Sequence, residues 1–236
     1  MSRSKKRDLI KRSYYVEPDL FGREKEDSGK TTCILGRSFS GKTHFLVDQL
    51  NEIADRKRGG NDHDRDRPMY DLIILMTESL DAQPLKGLRA KVKIVRSYVP
   101  SVIKLLKQMQ DASKCAFRFL VILDDCISNI RGGTFAKQIL TLRNSNISTT
   151  FLIQYVKLVT PSIRNSVHSY FLTGLKPEEY SYLGTSFLSS HMRDACGPIK
   201  NMTELSKEFK EWVDTDICFY DQRKDELNLI KRDAFL

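Results

Sequence analysis

Three patterns in this chain have the residue types and spacing to act on a phosphoanhydride: Gly36-Arg37-Ser38-Phe39-Ser40-Gly41-Lys42-Thr43, the pair Asp124-Asp125, and Gln154. The first fits G-x-x-x-x-G-K-[ST], the phosphate-binding P-loop. Its glycines let the backbone curl until successive N–H groups point inward, and a helix starting near Lys42 adds its positive dipole end to that nest. ATP or a related triphosphate is the natural occupant. Lys42 is placed to reach the β- and γ-phosphates, and the Thr43 hydroxyl to ligate the Mg²⁺ that bridges them. A glycine-serine turn that merely precedes a lysine is the plainer reading. It requires neither a strand before the loop nor a helix after it, yet both are indicated: Cys33, Ile34 and Leu35 form an apolar run, and Phe45, Leu46, Gln49-Leu50 and Ile53 recur at helical spacing.

Phe119-Leu120-Val121-Ile122-Leu123-Asp124-Asp125 is an aliphatic strand that ends in carboxylates. On a parallel sheet that already holds a P-loop, ligands gather outside the carboxyl ends of the strands, so this has the form of a Walker B element. Asp124 is then the Mg²⁺ ligand, and Asp125 the group that orients the attacking water and takes its proton. An Asp-Asp pair can also simply open a turn after a strand. Ser148 to Gln154 reads as a further strand whose polar end, Gln154, can touch both γ-phosphate and water.

The elements that must position these groups alternate between buried strands and helices. Tyr70 to Met76 is an unbroken aliphatic run suited to a sheet covered on both faces, Val92 to Val95 a shorter peripheral strand, and Val102 to Met109 a helix. A helix over Phe135 to Leu142 follows, then a strand over Val167 to Leu172, helices over Lys176 to Leu183 and Met202 to Val213, and a terminal hairpin of Cys218 to Tyr220 with Leu227 to Ile230. About eighty residues separate Lys42 from Asp124, which leaves room for a strand between the two motif strands. The fold class expected is therefore α/β, an additional-strand (ASCE, RecA-like) P-loop NTPase with a mainly parallel central sheet flanked by helices. Residues 1–29 read as a polar extension and 30–236 as one domain; Asp55 to Pro68, almost wholly charged or glycine, reads as an exposed loop. His63 between Asp62 and Asp64 in that loop has no fixed cage for a metal, and His168 reads as an ordinary polar side chain.

The net charge of +9 favours an acidic polymer as partner. Charge is also segregated: no acid occurs from Gln83 to Gln110 or from Cys126 to Pro177, while basic residues run through both stretches. Such faces suit the phosphates of double-stranded DNA, bound without a base-reading motif. Five scattered cysteines without metal-ligand spacing read as free thiols in a reducing compartment, and no segment has the apolar length of a membrane span. The expectation is a soluble intracellular protein.

Taken together, the P-loop, the strand ending in Asp124-Asp125, and Leu142-Arg143-Asn144-Ser145-Asn146-Ile147-Ser148 leading to Gln154 resemble the FtsK/HerA superfamily of ring ATPases. Within it they resemble the small genome-packaging ATPases of poxvirus-like large DNA viruses and virophages. Two positions depart from that pattern: Asn144 stands where the family tends to have His, and Asp125 where it often has Glu. The resemblance implies an ATP-driven translocase in a homo-oligomeric ring, a pentamer or hexamer, that packages double-stranded viral DNA at a capsid vertex in the host cytoplasm or a virus factory. Arg143, after a helix and before the strand ending in Gln154, is expected near the catalytic edge of the sheet, acting on a neighbour's γ-phosphate. Arg164 is the other candidate for that role. A plasmid or conjugative DNA pump shares every motif; a nucleotide kinase or a non-catalytic scaffold for ATP and DNA are the remaining classes.

Overall fold

The computed structural model describes residues 29–57, 67–78, 84–126, 138–139, 141–176, 178–179, 182–183, 216–222 and 226–231. Expectations for residues 1–28, for most of the charged loop, for most of the helix at 135–142 and for the helix at 202–213 lie outside the described residues.

Aliphatic runs fold as strands in the expected places. β1 (Thr31–Leu35), β4 (Phe119–Asp124) and β5 (Ile147–Ile153) are buried at every position, as strands covered on both faces require. β2 (Leu72–Thr77) is nearly so, whereas β3 (Val92–Arg96) is half exposed. Short β6 (Ser169–Leu172) and the hairpin of β7 (Asp216–Asp221) and β8 (Glu226–Lys231) complete eight strands, in the order β3-β2-β4-β5-β1-β6-β7-β8. β3, β2, β4 and β5 pair in parallel, and β6, β7 and β8 antiparallel. The sheet is thus mainly parallel, and β5 separates β4 from β1 in its order.

By their contacts the residues group into two compact units interleaved in sequence, one containing Cys33–Lys42 and the chain from Ile153, the other containing Thr43–Leu152 and the residues just before Cys33. In the second, helix α1 (Lys42–Asp55) buries Phe45, Leu46, Gln49, Leu50 and Ile53 and turns His44, Glu52 and Asp55 outward, the stripe that a 3.6-residue period produces. Helix α2 (Pro100–Ala112) starts on Pro100, whose missing N–H has no partner to lose in a first turn, and buries Ile103, Leu106 and Gln110. Gln110 is completely buried: its amide donates to the Phe117 and Asn146 carbonyls at 2.8 and 3.3 Å and accepts from the Phe117 N–H at 3.3 Å. Asn146, in the left-handed region at φ 56°, donates to the Cys115 and Phe117 carbonyls at 3.1 Å. These two amides tie the end of α2 to the turn that starts β5. In the first unit, Tyr170 and Phe171 of β6 are buried, Tyr170 donates to the Arg164 carbonyl at 3.2 Å, and its ring stacks on that of Tyr220 at 6.3 Å.

Candidate nucleotide site

The loop after β1 is held from three sides within its own unit. Gly36 N–H donates to the Ile153 carbonyl at the end of β5 (3.1 Å), and Arg37 N–H to the Gly174 carbonyl just beyond β6 (3.0 Å). The Thr173 hydroxyl donates to the Ser40 carbonyl at 2.7 Å, and the Thr173 N–H to the Leu35 carbonyl at 2.8 Å. Chain ends of β1, β5 and β6 therefore converge on the loop. Lys42 is buried, and its ammonium donates to the Gly36 and Arg37 carbonyls at 2.6 and 2.9 Å, so its charge is already aimed into the curl of the loop. A phosphate oxygen presented there competes with those carbonyls for the same three donors.

Backbone conformation explains the loop's composition. Gly41 sits at φ +90° with open space where a side chain would project, a conformation that any Cβ strains. At Gly36 the constraint is room: a Cβ would lie 2.1 Å from the Thr173 carbonyl oxygen and 2.5 Å from Ser40 Oγ. Phe39 takes φ 61° with its ring wholly exposed, so it contributes backbone curvature and no packing. We expect Gly36→Ala to lose binding of a fluorescent ATP analogue by at least about a hundredfold and to lower stability by roughly 3 kcal/mol, because the clashing partner is backbone and cannot rotate away. Titration and thermal unfolding of the purified variant check both values; parent-like binding would show that the loop is not the site.

Gln154 follows β5 directly, and Ser38 Oγ of the loop donates to its Oε1 at 2.9 Å. Among the residues proposed from sequence, this is the pair drawn into direct contact across the longest chain separation.

In the other unit, Asp124 ends β4 as a buried residue whose carboxylate accepts a hydrogen bond from the Thr77 hydroxyl at 3.2 Å. Asp125 adopts φ 53°, a left-handed conformation uncommon outside glycine but tolerated by Asp. Such positions are costly and concentrate where function requires them. The Glu78 N–H donates to the Asp124 carbonyl at 3.4 Å, which brings the end of β2 beside the pair. Burial and the surrounding carboxylates of Glu78, Asp124 and Asp125 push the Cys126 thiol up to about 12, so it stays protonated; Sγ lies 3.4 Å from the Met76 and Asp124 carbonyls. Thr43 and Asp124 both belong to this unit, and a hydroxyl with a carboxylate is the hard-oxygen donor set that Mg²⁺ takes.

Arg143 departs from expectation. It belongs to a single 3-10 turn (Leu142–Ser145) that precedes β5, its carbonyl accepts from the Gly29 and Asn146 N–H groups at 3.1 Å, and Ile147 pairs with Phe119 at the start of β4. It therefore sits at the amino-terminal edge of the strands. The six residues of β4 at about 3.3 Å each put it roughly 17 Å from the Asp124 end of that strand. The sequence argument erred because a residue before a parallel strand starts at the edge opposite to the one where that strand delivers its last residue. Arg164, by contrast, follows Gln154 in the first unit, where its carbonyl receives the Tyr170 hydroxyl.

Sequence reasoning missed Thr77, Glu78, Thr173, Gly174 and Glu179. A signal existed for the first four: each pair stands immediately after an aliphatic strand, where Asp124-Asp125 and Gln154 also stand.

The fold and the loop define an α/β P-loop NTPase architecture. No family model and no curated protein matches the chain. Among solved structures it is similar to the DNA-packaging ATPase B204 from Sulfolobus turreted icosahedral virus, with a TM-score of 0.59 and 12% identity over 87% of this chain and 98% of that one. B204 from Sulfolobus turreted icosahedral virus 2, in complex with ATP-gammaS, gives 0.56 and 12% over 87% and 97%. The cytoplasmic domain of the type VII secretion ATPase EccC from Thermomonospora curvata gives 0.50 and 13% over 86% of this chain and 25% of that one. At 12% to 13% identity these likenesses establish the fold. Among the described residues no helix is long and apolar enough to cross a membrane.

Proposed function

We propose that this chain is an ATPase that drives double-stranded DNA into a viral capsid, working as a ring of identical subunits. The observation that carries the reading is the phosphate loop itself: Lys42 aimed into the curl, glycine where a side chain would strike backbone, and Gln154 held to the loop by Ser38. Loop N–H groups and Lys42 bind the phosphates, and Gln154 senses the γ-phosphate and orients the water. Asp125 accepts that water's proton. Thr43 and Asp124 hold Mg²⁺, which when bound neutralises charge on the phosphates.

In this reading Arg143 acts on a neighbour's γ-phosphate, as a guanidinium supplied across a ring boundary. Exposed Lys91, Lys93, Arg96 and Lys104 of the acid-free stretch supply DNA-phosphate contacts, whereas Arg89 pairs with Asp55 of α1 at 3.1 Å.

Phosphate release in two conservative variants tests the division of roles between the carboxylates. Asp125→Asn keeps the shape but cannot accept a proton, so nucleotide binding persists while turnover falls by about a hundredfold or more. Asp124→Asn instead raises the Mg²⁺ concentration required for half-maximal turnover. Equal and mild effects of both substitutions would make the pair a structural turn.

A further inference from the structure

Glu179 lies in neither the phosphate loop nor a motif, yet the residue is only 2% exposed. Its Oε1 accepts the Val156 N–H at 2.7 Å, and its Oε2 accepts the Lys176 N–H at 3.1 Å. Val156 is the second residue after Gln154, and Lys176 the second after Gly174. A buried carboxylate that spends one oxygen on each of two separate segments is a cross-brace, since charge-assisted bonds of this kind are about twice as strong as neutral ones.

What the brace connects gives it a functional consequence. Thr173 and Gly174 clamp the phosphate loop through the Ser40 carbonyl and the Arg37 N–H, and a short run of chain leads from them to Lys176 and Glu179. The Lys176 ammonium also lies over the Tyr155 ring, 4.6 Å from its centroid, in a second contact between the same two segments. On one side of Gln154, Ser38 fixes its amide; on the other, Glu179 fixes the backbone two residues on. Both anchors lead back to the 173–179 segment.

Resting on the reading of Gln154 given above, we propose that Glu179 is a positioning residue for it, holding that amide in register with the phosphate loop so that turnover, more than nucleotide affinity, depends on the brace. Glu179 touches no reacting atom in this account. It acts through Val156 and Lys176.

Full-length protein carrying Glu179→Ala, compared with the parent, tests this by three readouts. Amide hydrogen exchange at Val156 should quicken by about tenfold or more, the loss expected for a buried bond to a charged acceptor. The turnover number for ATP should fall by about tenfold or more, while the affinity for a fluorescent ATP analogue changes less than about threefold. In a Gln154→Ala background the same substitution should lower turnover no further, because what it positions is gone. Unchanged exchange at Val156, or an equal fall in turnover with and without Gln154, would overturn the proposal. If Glu179→Ala does not fold, Glu179→Gln carries the same measurements, since it keeps the volume and one acceptor but turns an NH₂ toward the second donor. A parent protein that releases no phosphate would end the ATPase reading by itself, and the exchange result would then decide the role of Glu179 alone.

Discussion

Replacing Lys42 with alanine is expected to reduce Mg²⁺-dependent ATP hydrolysis by at least about a thousandfold. Three features concentrate that effect on one side chain. The ammonium is buried and points into the loop, where its partners are the Gly36 and Arg37 carbonyls, so it is preorganised for negative charge. Charge on the γ-phosphate oxygens shifts as the bond breaks, and a fixed, buried cation stabilises that change without reorganising. The motif's other cation, Arg37, is exposed, whereas Lys42 is buried. Because Lys42→Ala also removes two bonds that brace the loop, thermal unfolding should be recorded alongside phosphate release; a folded variant with parent-like hydrolysis would refute the assignment of this loop.

The second large effect belongs to the proposed ring of subunits. Arg143→Ala should lower turnover by roughly three to five orders of magnitude, the range for an arginine supplied to a transferring phosphoryl group, while leaving the subunit's own nucleotide binding unchanged. Its position about a strand's length from the Asp124 end of β4 is what makes the prediction specific to an assembly. Mixing Arg143→Ala subunits, which keep their loops, with Lys42→Ala subunits, which keep Arg143, should restore some hydrolysis at mixed boundaries. Hydrolysis that never exceeds the sum of the separate variants, in assemblies shown to contain both, would remove Arg143 from that role.

Much of this architecture was legible in the sequence, and the reason is burial. β1, β4 and β5 are covered on both faces, so they must be continuous apolar runs, and such runs announce themselves without an alignment. The loop after β1 was equally legible because its motif is contiguous in the chain, with Gly41 answering to its own backbone conformation, whereas the demand at Gly36 comes from the distant Thr173 carbonyl. Contacts set by tertiary placement were not. Nothing near Glu179 in the chain indicates that its carboxylate will meet the Val156 N–H, and nothing near Thr173 indicates the Ser40 carbonyl. Arg143 shows a different failure. The strand that follows it was read correctly, but strand direction decides which edge a flanking residue occupies, and a parallel strand carries its first and last residues to opposite edges.

Triplex displacement on linear double-stranded DNA tests the central claim most directly. A short third strand annealed at one end of a long duplex is released only if a motor moves along the duplex and strips it, so the signal reports translocation and not hydrolysis alone. The account predicts release that requires ATP and Mg²⁺, occurs on duplexes of unrelated sequence, weakens steeply with added salt, and vanishes in Lys42→Ala. Steady ATP hydrolysis on DNA with no strand release on any duplex would contradict it.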